Sequence, residues 1–248
     1  MLQVKNNIGR GGGFYPSVLI TGLSEIDTVS IIGQGKTYTP KWINNETIVN
    51  PIPDGYTGLE YIQSSGTQYI NTGIKCDNLN LYSEIVGNFT SISTEQWMGC
   101  EDSSNSTNMI FYFICAVYNS NFVLQYGSGG KEVTFTADTN IHSFILDGAN
   151  KIAKVDNTQN SLEVDKHPNN NIIFLFGRNS NGTFKNGCNF KMQRATFKNG
   201  DILLFNGIPC KRNSDSAVGL YDTVSQTFFA NSGTGTFTAG AEKDWSTI

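Results

Sequence analysis

Val218–Gly240, VGLYDTVSQTFFANSGTGTFTAG, decides how this chain folds. Three short apolar runs, Leu220-Tyr221, Phe228-Phe229 and Thr236-Phe237-Thr238, are separated by two clusters of turn residues, Asp222–Gln226 and Asn231–Gly235. In such clusters Asn, Asp and Ser bond to nearby backbone, and Gly takes positive φ at no steric cost. Short strands with turns of this kind between them predict the closing meander of an all-β sandwich.

Upstream the same period continues. Leu81–Phe89 alternates, with Leu81, Ser83, Ile85 and Phe89 on one face. Met109–Tyr118 is apolar on both faces, as expected of a strand buried between layers. Phe122, Leu124 and Tyr126 keep the period of two. Strand-length runs follow at Lys131–Thr136, Ile141–Asp147, Lys151–Val155 and Ile172–Gly177. Cys188–Lys198 and Asp201–Phe205 flank Asn199-Gly200, a strong hairpin signal because both central positions tolerate positive φ. No segment of helical length repeats every 3.6 residues. The pattern predicts a two-sheet jelly-roll sandwich over residues 59–248.

With the preceding IPCKRNSD (Ile208–Asp215), the closing stretch resembles the C-terminal end of concanavalin A-like (laminin-G-like) jelly-roll domains. LEYIQSSGTQYINTGIK (Leu59–Lys75) resembles that family's first strand pair, which lies near the C-terminal meander in space. HSFILDGANKIAKVDN (His142–Asn157) is similar to its central strand, turn and strand. Such domains recur in virion fibre and tail proteins of phages infecting gut and low-GC Gram-positive bacteria. The resemblance implies a non-enzymatic head or tail fibre protein, assembled in the host cytoplasm into the virion, whose jelly roll touches host cell-surface polysaccharide. A purely structural capsid or tail decoration and a bacterial surface adhesin stand as alternatives.

Residues 1–50 are expected to be a separate attachment segment. SVLITG, TVSIIG and KTYTPKW predict a small hairpin or three-strand piece, similar to the start of immunoglobulin-like or carboxypeptidase-regulatory-like modules in phage tail proteins. Residues 1–13 end in Arg10-Gly11-Gly12-Gly13 and read as an arm; no GxxxxGK[ST] pattern makes this glycine cluster a phosphate loop. A meander this small is marginal in water, so residues 1–50 are expected to dock on other virion proteins and to support a homotrimer. Residues 51–58 read as a linker stiffened by Pro51 and Pro53 and turned by Asp54-Gly55.

Composition narrows the partners. Seventeen Lys and Arg against 21 Asp and Glu give a net charge of −4, without the basic run that nucleic-acid binding needs. No apolar run approaches the roughly 20 residues of a membrane helix, so no membrane insertion is expected. The N-terminal sequence lacks the apolar centre of a secretory signal. Five cysteines without CxxC spacing predict buried free thiols, not a zinc site or a disulfide set. Charged residues make up only 15% of the chain. A surface of uncharged hydrogen-bonding groups suits sugars, and equally suits ordinary β-loops.

Candidate chemistry is sparse. A glucanase-type ExDxxE strand would set two carboxylates on one face; the near match, Glu25-Ile26-Asp27-Thr28-Val29-Ser30, ends in Ser and lies outside the sandwich. Glu163 and Asp165, beside Lys166 and His167, read as a solvated rim, and His142 as a hydrogen-bonded structural residue on a strand. No GxSxG elbow is present. For sugar binding, an aromatic face and convergent amides and carboxylates are needed. The Thr94–Asn108 loop offers Trp97, Glu101, Asp102, Asn105 and Asn108, and the Arg178–Asn189 loop offers Arg178, Asn179, Asn181 and Asn186. Loops on a rigid scaffold are where binding usually sits. Trp97, followed by Met98-Gly99, reads either as the sugar platform or as a core residue. No cofactor is expected; Ca²⁺ on the Glu101-Asp102 rim stays open, although no ordered Asp/Asn constellation is visible.

Overall fold

The computed structural model describes residues 50–77, 80–102, 111–128, 132–163 and 170–246, together with four short strands within the first 47. Two compact units divide the chain, Met1–Thr47 and Ile48–Ile248. In the first, β1 (Gln3–Lys5) pairs antiparallel with β2 (Ser17–Leu19), and β3 (Ile31–Gly33) with β4 (Lys36–Tyr38). The expected arm over residues 1–13 is therefore corrected at Gln3–Lys5, whose backbone finds a partner in β2. The near match to a glucanase motif, Glu25–Ser30, lies outside the described residues.

The second unit is all-β, with no helix among the described residues. Its chain order opens with β5 (Tyr56–Gly58), β6 (Ile62–Gln63), β7 (Ile70–Lys75), β8 (Leu81–Phe89), β9 (Glu95–Asp102) and β10 (Phe111–Tyr118). Then come β11 (Asn121–Ser128), β12 (Glu132–Thr136), β13 (His142–Asp147), β14 (Ile152–Val155), β15 (Thr158–Ser161) and β16 (Ile172–Leu175). The last are β17 (Arg178–Ser180), β18 (Thr183–Lys185), β19 (Phe190–Asn199), β20 (Ile202–Arg212), β21 (Val218–Asp222), β22 (Thr227–Ala230) and β23 (Thr238–Ala239).

These strands form two sheets packed as a sandwich, the arrangement of a jelly roll. An eight-stranded sheet runs β12-β11-β10-β9-β16-β7, with the β17–β18 hairpin added beside β9. An eleven-stranded sheet runs β15-β14-β13-β8-β19-β20-β21-β22, with β5 on β20 and β6 bridging β19 to β23. Alternation sets which face is buried: β8 turns Leu81, Ser83, Ile85, Gly87 and Phe89 inward. On the opposite layer Phe122–Gly127 of β11 is buried at every position, so that strand is covered on both faces.

Aromatic rings fasten the two sheets. Trp97 of β9 and Phe122 of β11 meet Phe89, Phe144 and Phe190 of the other sheet, with Trp97 and Phe144 centroids 4.6 Å apart. Burying each such side chain contributes about 1.5–3 kcal/mol. The cysteines are all free and buried, as expected, and burial pushes the Cys115 and Cys188 thiols well above their ordinary range.

The closing meander holds the N-terminal strands of the sandwich. β23 pairs with β6 through Thr238 and Gln63, Ser232 N–H donates to Tyr69 O at 2.9 Å, and Asn231 Oδ1 accepts from Tyr69 N–H at 3.1 Å. At the β21–β22 turn the buried Asp222 carboxylate accepts from the N–H groups of Asn206, Val224 and Ser225 and from the Ser225 hydroxyl, over 2.6–3.1 Å. It thereby supplies acceptors the turn backbone lacks.

Residues 51–58 do not run as a linker. β5 pairs with β20, and Ile52 is buried with Ile208, Cys210, Tyr221 and Trp245 in a second cluster on the outward side of β20 and β21. Trp245 Nε1–H donates to Leu59 O at 3.1 Å. A Cβ at Gly58 would run into the Trp245 ring and the Lys243 carbonyl, so this crossing needs glycine. The sandwich therefore includes the stretch read as a spacer, because its apolar residues have a face to cover.

Candidate functional site

Four of the sequence-predicted residues, Glu101, Arg178, Asn179 and Asn181, gather at one seam of the eight-stranded sheet. β9, expected as part of a polar loop, is a strand: it pairs antiparallel with β10, and a register shift falls between Cys115 and Ala116. On its other side β16 pairs with it antiparallel at Gly99 and Met98. The chain then reverses at Phe176-Gly177, and β17 returns parallel to β9, placing Asn179 opposite Cys100 and Ser180 opposite Glu101. Phe176 makes this reversal in the left-handed region, at φ 69°, while fully buried. Such a backbone costs on the order of 1–3 kcal/mol for a bulky residue and persists only where its surroundings fix it. Here the Phe176 N–H donates to Trp97 O at 2.8 Å, its carbonyl accepts from Cys188 N–H at 3.1 Å, and its ring packs 4.8 Å from Phe237.

Inserting β17 between β9 and β16 splits the sheet, and side chains close the split. Asn179 Nδ2 donates to Ile172 O at 2.9 Å, while its Oδ1 accepts from Gly182 N–H at 2.6 Å. Asn171 Nδ2 donates to Glu101 O at 2.7 Å and to Asn181 Oδ1 at 2.9 Å. The Glu101 carboxylate is buried, with 6% of its side chain exposed, and forms an ion pair with Arg178 Nη1. Its Oε1 accepts from Ser180 Oγ at 3.2 Å. Both Asn179 and Ser180 are only 4% exposed. Buried polar groups that find partners in this way hold a backbone in one arrangement, and losing one partner is costly.

The predicted residues thus separate into three groups. Glu101, Arg178, Asn179 and Asn181 meet, and the first three are turned into the protein as structural partners. Asn181, exposed and in the left-handed region at φ 47°, and Asp102, half-buried at the end of β9, stand at the rim. Trp97 is fully buried among Phe89, Phe122, Phe144 and Phe190, so the platform reading of this residue is corrected: no ring face is turned outward. Asn105 and Asn108 lie outside the described residues, as do Asp165, Lys166 and His167. Asn171 and Ser180 complete the cluster and were not singled out from sequence; an Asn run beside a strand and a lone Ser carry no signal of their own.

Chemically, the seam is a neutralised buried ion pair roofed by amides, with a rim that presents the Asn181 amide and the Asp102 carboxylate. Among the described residues no group of three or more His, Cys, Asp or Glu is placed to hold a metal ion. A scan of protein-family models and a search of curated proteins found no match to this chain.

Proposed function

We propose that the chain is a non-enzymatic bacteriophage virion protein, a head or tail fibre or appendage. Residues 1–50 dock on other virion proteins, and the sandwich meets host cell-surface polysaccharide at the Asp102–Asn181 rim. The observation that carries this reading is the construction of that rim. A buried ion pair and three amides fix a short exposed turn ending at Asn181, a rigid display of hydrogen-bonding groups suited to neutral hydroxyls. A shallow site of this kind binds a sugar at about millimolar affinity, near −4 kcal/mol. A homotrimer present in many copies raises effective affinity by roughly two to four orders of magnitude.

Trp97 favours a second reading, a structural capsid or tail decoration without glycan binding. Its burial removes the aromatic face that sugar sites use for C–H packing, and Glu101 and Arg178 satisfy each other. Adsorption decides between the two. Purified full-length protein is expected to be retained on host cells and on isolated cell-wall polysaccharide, with retention lost in Asp102→Ala/Asn181→Ala. Retention on neither surface removes the recognition reading and leaves the decoration. Incorporation into particles by a chain lacking residues 1–50 would overturn the docking role.

A further inference from the structure

His142 opens β13, and both of its ring nitrogens face carboxylates. Nδ1 lies 2.6 Å from Asp156 Oδ2, and Nε2 lies 2.9 Å from Asp138 Oδ1. The two acids come from different parts of the fold. Asp138 sits on the connection that leaves β12, in one sheet, for β13, in the other. Asp156 sits in the β14–β15 turn with φ 52°. Phe122 of β11 packs edge-on to the imidazole with centroids 5.2 Å apart, and β8 presents Gly87 as the register partner. The charged groups facing the ring are thus the two acids.

They are held unequally. Asp156 is tied into the sheet twice: its Oδ1 accepts from Ser143 N–H at 2.9 Å, and its own N–H donates to Ser143 O at 2.9 Å. Asp138 Oδ1 accepts from Asn140 N–H at 2.6 Å, a bond within its own connection. A cationic imidazole has two N–H donors and serves both acids, whereas a neutral one has a single donor and turns a lone pair toward the other acid. The donor stays with the better-fixed partner, so the neutral ring keeps Nδ1–H on Asp156 and repels Asp138.

We propose that Asp138, His142 and Asp156 form a pH-sensitive latch on the connection between the two sheets, closed while the imidazole is cationic and released at Asp138 when the ring loses its Nε2 proton. Burial of the ring pulls its pKa down, but the hydrogen bonds it donates to Asp156 and Asp138, together with their negative charge, outweigh that and leave it above 6.5. The folded pKa therefore exceeds the unfolded one. The stabilisation is complete below about pH 6.5 and is lost as pH rises through the folded value. When Asp138 lets go, Ala137 N–H still donates to Ser120 O and Asn88 Nδ2 to Thr139 O, each at 3.2 Å, which confines the opening to residues around Asp138 and Asn140. The latch does not depend on the chain's being a virion protein.

Imidazole ¹⁵N shifts and amide exchange on the full-length protein test it, with His142→Gln assigning the resonances. His142 is expected to titrate above 6.5 and to carry the neutral-form proton on Nδ1. Corrected for intrinsic rates, Asn140 protection falls with the same midpoint, about tenfold for each unit by which the His142 pKa in the closed latch exceeds that of the released one. The Ser143 and Asp156 amides keep their protection, and Asp138→Asn abolishes the pH response at Asn140 in a protein that remains folded. Flat protection of Asn140 through the titration, a neutral ring protonated on Nε2, or equal loss at Ser143 and Asp156 would each overturn the latch.

Discussion

Arg178→Met is expected to lower the unfolding free energy by about 3–5 kcal/mol, the cost of leaving one charge of a buried pair without its partner. The carboxylate left behind is that of Glu101, enclosed between β9 and β17 and accepting from the neutral Ser180 Oγ. Desolvation, not the lost attraction alone, sets the size of the effect. Placing Glu101→Gln on top of Arg178→Met is therefore expected to recover most of the loss, since Gln keeps an acceptor for Ser180 and carries no charge. Urea denaturation of the three proteins measures this, with the m-value unchanged if the mutants remain equally compact. A loss of less than about 1 kcal/mol in the single mutant would mean a solvent-screened surface pair and would undo the account of the seam.

Trp97→Ala should cost a further sum of similar size, about 3–5 kcal/mol for emptying an aromatic site in the core. The ring touches both sheets, lying 4.6 Å from Phe144 and 5.3 Å from Phe89. Its Nε1–H is buried with no hydrogen-bond partner among the described residues. Trp97→Phe removes that unsatisfied donor, worth about 1–3 kcal/mol, while giving up volume, so the two effects offset and the change in stability is small. Calorimetric melting measures both variants. At temperatures where they are folded, neither should alter polysaccharide retention; a folded Trp97→Phe protein that lost retention would place this ring at the ligand after all.

Much of the sandwich was legible because burial imposes a period. Leu81–Phe89 alternates without interruption and is the strand that pairs with both β13 and β19. The hairpin read at Asn199-Gly200 is present but turns one residue later: Asn199 closes β19 opposite Ile202, and Gly200-Asp201 makes the reversal with φ 56° at Gly200. The closing meander follows the apolar runs of its sequence, and its approach to the first strand pair is borne out by the Thr238–Gln63 pairing.

What escaped the sequence had other causes. EQWMGCED of β9 has no clean alternation, because its register shifts against β10 and buried residues stand side by side at Trp97, Met98, Gly99 and Cys100. Thr158–Ser161 is exposed at every position, so its strand has no apolar face to announce it. The reversal at Phe176 takes a backbone conformation that phenylalanine does not signal. Trp245 and Leu59 meet across 186 positions, a separation over which local pattern carries no information. Glu101, Arg178, Asn179 and Asn181 were legible as candidates in two separate polar stretches. Their mutual pairing was not, since it depends on β17 entering beside β9.

Mapping a cell-wall polysaccharide fragment onto the full-length protein by amide chemical shifts tests most directly whether the rim is a recognition surface. Perturbations gathered at Asp102 and Ser180–Gly182 are the predicted result. Shifts confined to the opposite end of the sandwich, or none at a concentration that saturates a millimolar site, would contradict it.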